Sequence, residues 1–205
     1  RIAVDLHEQA GASGARAALT LGRLGTALIR CGRFDEAAPV SLRAAAALGE
    51  LVAAGHEELR RHQAQAHADA GYALRELKEL EEAAESMRDA VAVYDRLAAE
   101  DPGYRPHLAR ALQLLAELLI RRDRTAEGIQ AYEWAAHLRR ALLAEGRTEI
   151  RPALAGNLLL LAAALQDDGR PERALPVAQE AVRIHEELVM LDPAHYGSLR
   201  FAPEL

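Results

Sequence analysis

The chain has 205 residues, of which 50% are hydrophobic and 27% are charged, so it carries enough apolar side chains for a substantial buried core. Aromatic residues make up only 4%, which argues against a β-sandwich or β-barrel. The formal net charge of −6 argues against a nucleic-acid partner, because such partners require a basic surface.

The cysteine content and the length of the apolar runs indicate in which cellular compartment the protein is expected. The single cysteine, Cys31, cannot form an internal disulfide, and no signal-peptide pattern opens the sequence. The longest apolar run, 158–165, is far shorter than the roughly 20 residues that span a bilayer. We therefore expect a cytoplasmic protein without a membrane partner.

The sequence repeats itself in steps of 45 or 46 residues. A small residue after a polar turn recurs at positions 37, 83, 128 and 174, so the steps are 46, 45 and 46 residues. Other columns keep the same step: Ala44, Ala90, Ala135 and Ala181; Leu28, Leu74, Leu119 and Leu165; Leu51, Leu97, Leu142 and Leu188. Several columns in phase indicate four structural repeats.

Each repeat contains two apolar runs with helical periodicity, separated by a polar turn. In chain order, the first helices are predicted at 14–31, 61–78, 105–122 and 150–168, and the second helices at 35–54, 80–100, 125–145 and 171–191. Gly55, Gly146 and the Asp-Pro pairs at 101–102 and 192–193 mark the ends of the second helices. No strand pattern appears, so the predicted fold class is all-α.

These boundaries predict one solenoid domain, residues 1–205, with repeats 1 to 4 at 12–55, 56–100, 101–146 and 147–192. Residues 1–11 are predicted to be the tail of a preceding second helix, because Gly11 matches Gly55 in the repeat. Residues 193–205 are predicted to begin a further or capping helix. The chain starts with Arg1 rather than Met, so we expect a piece of a longer array.

The fine pattern resembles a known family. Repeat 1 has Leu24-Gly25, Leu28, a glycine turn, Ala37 and then Ala44, and this order resembles the tetratricopeptide repeat. The family repeat has about 34 residues, so both helices are longer here. Repeat 3 departs further, with Ala116 in place of the glycine and Gly128 in place of the first small alanine.

The longer register is similar to the long repeats of large bacterial signalling proteins. The resemblance implies a right-handed superhelix of antiparallel helix pairs that acts as a protein-binding scaffold.

The sequence contains no complete motif for catalysis, metal binding or phosphate binding. The His-Glu pairs at 7–8, 56–57 and 185–186 lack a second histidine four residues after the first, so the pattern predicts no metal site. The glycines at 11–14 and 22–25 lack the Lys-Ser/Thr of a phosphate loop. Cys31 lies far in sequence from any histidine and is predicted to be a small packing residue. We expect no cofactor, no catalytic residue and no enzymatic activity.

The resemblance implies that the first helices line a concave partner-binding groove. The family's groove positions fall on Arg23, Thr26, Arg30, Asp69, Tyr72, Arg75, Arg110, Gln113, Glu117, Arg121, Leu159, Ala163 and Gln166. Arg110 and Arg121 lie three turns apart with Glu117 between them. This row either grips carboxylates of a peptide or neutralises itself on the surface. The family's Lys/Asn carboxylate clamp has no counterpart, since the chain has one lysine and one asparagine, far apart.

The favoured function is a protein–protein interaction scaffold or sensing segment that binds a peptide or partner domain on its concave face. One alternative is the regulatory region of a larger enzyme, a switch ATPase or protease whose catalytic module lies outside this chain. A weaker alternative is self-assembly. The apolar run 158–165 needs a cover, so the tail with Leu199 and Phe201 folds back on it, or a homodimer forms there.

Overall fold

A computed structural model describes the backbone of residues 2–196, and the side chains of residues 13–193 and 196. The long helices are α1 (Ile2–Arg30), α2 (Phe34–Ala53), α3 (Arg60–Glu76), α4 (Leu80–Glu100), α5 (Arg105–Ile120), α6 (Thr125–Ala144), α7 (Arg151–Asp167) and α8 (Pro171–Leu191). A short helix, α9 (Pro193–Tyr196), follows. Single 3₁₀ turns lead into α3, α5 and α7, and residues 2–196 contain no strand.

The predicted helix ends agree with the observed ones within two residues, except at the start of the chain. The predicted break at Gly11 is wrong, because α1 runs through this residue without interruption. Gly55 ends its helix with a positive φ of 103°. Around Gly11 the alanines of 12–18 favour a continuing helix. At the other end, residues 197–205, including Leu199 and Phe201, lie outside the described residues.

The turn inside every repeat has the same geometry. One residue in each turn adopts the left-handed conformation: Gly32, Lys78, Asp123 and Gly169, with φ between 58° and 73°. In repeat 1 the N–H of Arg33 bonds to the carbonyl of Leu28, and the N–H of Gly32 bonds to that of Ile29. The other three repeats form the same pair of bonds. This Schellman closure reverses the chain and sets the two helices of a repeat side by side.

Small residues allow the paired helices to approach closely. A Cβ added to Gly71 would lie 3.1 Å from the carbonyl oxygen of Ala83 on the facing helix. In repeat 3 the two positions are exchanged, because a Cβ on Gly128 would lie 2.9 Å from the carbonyl oxygen of Ala116. The departure of repeat 3 from the family pattern is thus a compensating swap between two residues in contact.

The helices form an α-solenoid in which each helix packs against the next along the chain. The first helix α1 also contacts α3, and α3 contacts α5, whereas contacts between neighbouring second helices are sparse in residues 2–196. The first helices therefore line the inner, concave side. One apolar core, with Leu112, Leu119 and Ile129 among its buried residues, runs through repeats 1 to 4.

Helix α7 carries the long apolar run noted in the sequence. Residues Thr148–Asp167 are long and apolar enough to cross a membrane by length and composition alone, with a mean hydropathy of 1.2. The 3₁₀ turn before α7 extends this stretch beyond the apolar run noted in the sequence. In this fold α7 packs against α6 and α8, and 44% of the stretch is buried. The core helix of a helical array can be equally long and apolar, so this stretch is weak evidence for a membrane span.

Candidate functional site

Three clefts open on the concave face, each between successive first helices. A side chain from the intervening second helix reaches each cleft: Leu48 between α1 and α3, Tyr94 between α3 and α5, and Arg139 between α5 and α7. These residues are equivalent in the repeat, spaced by 46 and 45 residues, and all three are buried. The floor of the groove therefore changes along the array from apolar to phenolic to cationic.

The middle cleft is a cavity of about 410 Å³ with a mixed polar and apolar lining. It is lined by Thr26, Ile29, Arg30, Gln65, Ala68, Asp69, Tyr72, Tyr94, His107, Arg110, Ala111 and Leu114. Helices α1, α3 and α5 supply the walls, so three repeats build one cavity. A volume of this size falls within the range of small-ligand and side-chain pockets.

A buried carboxyl group organises the polar wall. Asp69 is 9% exposed and accepts hydrogen bonds from Thr26 Oγ1 at 2.5 Å and from Gln65 Nε2 at 2.7 Å. Burial raises the pKa of Asp69, and these two hydrogen bonds oppose the rise. Tyr94 donates its hydroxyl proton to Gln65 Oε1 at 3.2 Å. The four side chains form a continuous network across repeats 1 and 2.

The opposite wall belongs to α5. The ring of His107 stacks on Tyr94, with 5.5 Å between the centroids and 16° between the planes. Burial lowers the pKa of His107 and nearby Arg110 adds to the effect, so the imidazole is neutral at pH 7. Arg110 is exposed and makes no hydrogen bond or ion pair with a described residue. The cavity thus presents a buried acid and an exposed cation on facing walls, and the charge of Arg110 also opposes the rise in the pKa of Asp69.

An aromatic side chain closes the cavity on the α3 side. The ring centroid of Tyr72 lies 6.0 Å from that of Phe34, and the Arg75 guanidinium lies 4.6 Å above the Tyr72 ring. Arg75 also pairs with Glu76 at 2.6 Å and with Glu117 at 3.3 Å. The predicted groove residues Arg75 and Glu117 therefore neutralise each other between repeats.

The two outer clefts differ in size and charge. The cleft above Leu48 has about 120 Å³ and includes Arg23, Thr26 and Asp69. The cleft beside Arg139 has about 470 Å³. It is lined by Pro106, Arg110, Gln113, Arg139, Ile150, Pro152, Ala153 and Gly156.

The structure brings together part of the predicted groove. The middle cavity collects Thr26, Arg30, Asp69, Tyr72 and Arg110; the outer clefts add Arg23 and Gln113. The remaining six predicted residues line none of these clefts. Arg75 and Glu117 form the ion pair described above. Leu159 is half-buried against the apolar core of repeat 4, and Arg121, Ala163 and Gln166 are exposed.

Sequence reasoning missed the residues that come from second helices, because the family's groove positions lie on first helices. It also missed Gln65 and His107 on the first helices themselves. Tyr94 and Arg139 belong to the repeat column that begins at Leu48, and the burial that marks this column is visible only in the structure. Burial also corrects one assignment, because Cys31 is exposed rather than packed.

The described residues contain no group of three or more His, Cys, Asp or Glu side chains placed to hold a metal ion. The chemistry of the groove is therefore that of hydrogen bonds, ion pairs and aromatic contact. Such groups suit recognition of a polypeptide, which offers amides, side-chain charges and rings in a row.

Comparison with known proteins agrees with this geometry. Two family profiles described as tetratricopeptide repeat match residues 64–95 and 158–191, within repeats 2 and 4. The chain therefore carries tetratricopeptide repeats in these two segments. These repeats make it a scaffold for protein–protein interaction. The search of curated proteins found no match to this sequence.

Solved structures share its fold at low sequence identity. BtubC (BKLC) from P. vanneervenii aligns with a TM-score of 0.68 and 20% identity over 82% of this chain, which spans 63% of BtubC. The kinesin-light-chain-like TPR repeats of Podosopora anserina align at 0.60 and 19%, covering 93% of this chain and 80% of theirs. MamA aligns at 0.55 and 18%, covering 84% of this chain and 81% of its own.

Proposed function

We propose that this tetratricopeptide-repeat protein binds a peptide segment of a partner protein along its concave face, anchored in the cavity between α1, α3 and α5. One observation carries the proposal. The cavity holds Asp69 and Arg110 on facing walls, beside Tyr72, with its floor formed by Tyr94. A peptide inserted here meets an acceptor, a donor and an aromatic surface together.

A few anchoring side chains are expected to contribute most of the binding free energy, more than the total buried area would suggest. Aromatic and arginine side chains in central, desolvated pockets dominate binding energy at protein interfaces. Tyr72 is held by Phe34 and Arg75, and Tyr94 by Gln65 and His107, so little side-chain entropy is lost when a ligand arrives. The groove is thus preorganised on helices rather than on loops.

The proposal is tested by selecting peptides from a random library against the intact chain and measuring their affinity by calorimetry. Tyr72→Ala and Arg110→Glu are each expected to weaken binding by about tenfold or more, because each removes a central anchor. The matched control is Arg140→Glu with Arg183→Glu, on exposed positions of second helices. We expect that control to change affinity by less than about twofold.

Two results would contradict the proposal. The first is a library that yields no specific peptide. The second is a larger loss of affinity for the second-helix control than for the groove variants, which would place binding on the convex side.

A further inference from the structure

The cleft between α5 and α7 holds a buried arginine that no acidic residue accompanies. Arg139 is 3% exposed, and no described residue accepts a hydrogen bond from its Nη1 atom. None of the residues that line the cleft is acidic. Burial alone lowers the pKa of Arg139 to about 10, so the guanidinium stays charged at pH 7. A buried charge without a partner is destabilising, which makes its position inside a repeat core unusual.

Space for an occupant lies directly beside this charge. At the positions where the middle cleft has His107 and Arg110, the outer cleft has Ala153 and Gly156. A Cβ added to Gly156 would meet no atom within 4 Å. Small side chains in repeat 4 therefore leave open a volume of about 470 Å³ against the guanidinium.

We propose that this cleft is a subsite for the carboxylate of an aspartate or glutamate in a bound peptide. The inference rests on the proposed peptide binding and specifies its partner as an acidic segment. A planar guanidinium matches a carboxylate in a two-bond fork. Arg110, which forms no ion pair with a described residue, lies at the same cleft, and Gln113 adds an amide donor.

The lining also selects among anions. Pro106, Ile150 and Pro152 give the cleft apolar walls, which suit the methylene stem of an acidic side chain. A phosphate dianion carries more charge and needs more donors than this cleft supplies. The carboxylate is therefore the anion whose size and charge fit.

The subsite has a fixed place relative to the middle cavity. Arg110 lines both clefts, so they share one helix as a common wall. An α-helix with its side chains is about 10 Å across, and an extended peptide rises about 3.3 Å per residue. An extended ligand would therefore carry its acidic residue about three positions from the residue in the middle cavity.

The first arm of the test uses a small anion on the intact chain. N-acetylglutamate amide is titrated while the Nε–Hε signal of Arg139 is followed by NMR, with N-acetylglutamine amide as the neutral control. We expect the signal to shift with the acid and not with the amide. Equal responses, or none, would overturn the subsite whether or not a peptide is known.

The second arm uses peptides selected from the random library, all with amidated C-termini. We expect an acidic residue at the stated spacing, and about a tenfold loss of affinity in Arg139→Met against less than twofold for neutral versions of the same peptides. Arg140→Met is the control, because Arg140 is exposed and pairs with Glu180 at 2.7 Å. Peptides that bind without acidic enrichment, or equally to Arg139→Met, would overturn the subsite and leave the proposed function standing.

A third arm supplies the carboxylate from the protein itself. Gly156→Glu places an acid in the open space beside Arg139, and Gly156→Gln is its isosteric control. We expect the glutamate variant to melt at a higher temperature than the glutamine variant and to bind acidic peptides more weakly. Identical melting and binding of the two variants would count against a carboxylate site. Removing the C-terminal amide cap from the selected peptides is not expected to raise their affinity. A clear preference for the free C-terminal carboxylate would show that the assignment to an acidic side chain is wrong.

Discussion

The hydroxyl of Thr26 on α1 donates a 2.5 Å hydrogen bond to Asp69 Oδ2 on α3, 43 residues further along the chain. This bond joins repeats 1 and 2 at the concave face. Because Asp69 is the acidic residue that lines both the first and the middle cleft, its protonation state changes the net charge of both.

Asp69→Asn is expected to change how stability depends on pH. Burial raises the pKa of Asp69 above its ordinary value of 3.8, so the folded chain keeps a proton that the unfolded chain has released. This group therefore lowers the free energy of unfolding as the pH rises from 3.8 through the folded-state pKa. Relative to wild type, Asp69→Asn should gain stability between pH 4 and pH 7 in urea unfolding.

Glu180→Gln provides the control of opposite sign. The hydrogen bond from Arg140 lowers the pKa of Glu180 below 4.5, so this carboxylate stabilises the fold above that pH and loses the effect as the pH falls. Relative to wild type, Glu180→Gln should lose stability over the same rise in pH. Equal trends in the two variants would show that Asp69 is not held in a protonation-sensitive environment.

Lys78→Gly is expected to stabilise the chain. Lys78 has a φ of 66°, in a turn where repeats 1 and 4 have glycine. Relief of left-handed strain outweighs the added entropy of an unfolded glycine, for a net gain of about 0.5–1 kcal/mol in urea unfolding. Gly32→Ala is the converse substitution. Because a Cβ at Gly32 meets nothing within 4 Å, its expected net loss of about 1 kcal/mol reports backbone strain rather than a steric clash.

Ala90→Leu should overpack the interior of repeat 2. Ala90 is fully buried in the core, so the larger side chain is expected to cost about 1–3 kcal/mol in the free energy of unfolding. Ala92→Leu is the matched control, because Ala92 is exposed on the same helix. Similar thermal melting for the two variants would show that the alanine column does not mark the close contact between paired helices.

Arg139→Met is expected to leave the free energy of unfolding unchanged or higher. It removes a buried charge without a described acidic partner and keeps a long apolar side chain in its place. The matched Arg140→Met removes an exposed ion pair and should cost less than about 1 kcal/mol. A loss of several kcal/mol for Arg139→Met would reveal a stabilising partner for this guanidinium.

Local residue order by itself determined the fold. The fold follows from the helical periodicity, the repeat spacing of 45 or 46 residues and the columns of small residues. Each of these features depends on residues that are close in sequence, so it can be predicted from the sequence. Eight helices and their turns follow from it. The break at Gly11 failed because one glycine does not stop a helix when strong helix formers surround it.

Only the tertiary structure decided which side chains meet in the groove. The columns predicted that Ala116 and Gly128 depart from the pattern, but the contact between them shows that one change compensates for the other. In the same way, Tyr94 and Arg139 occupy a buried column, and the sequence gives no sign that this column forms the floor of a cleft. Whether a residue faces a cavity depends on how the next repeat stacks, because the wall and the floor come from helices of different repeats.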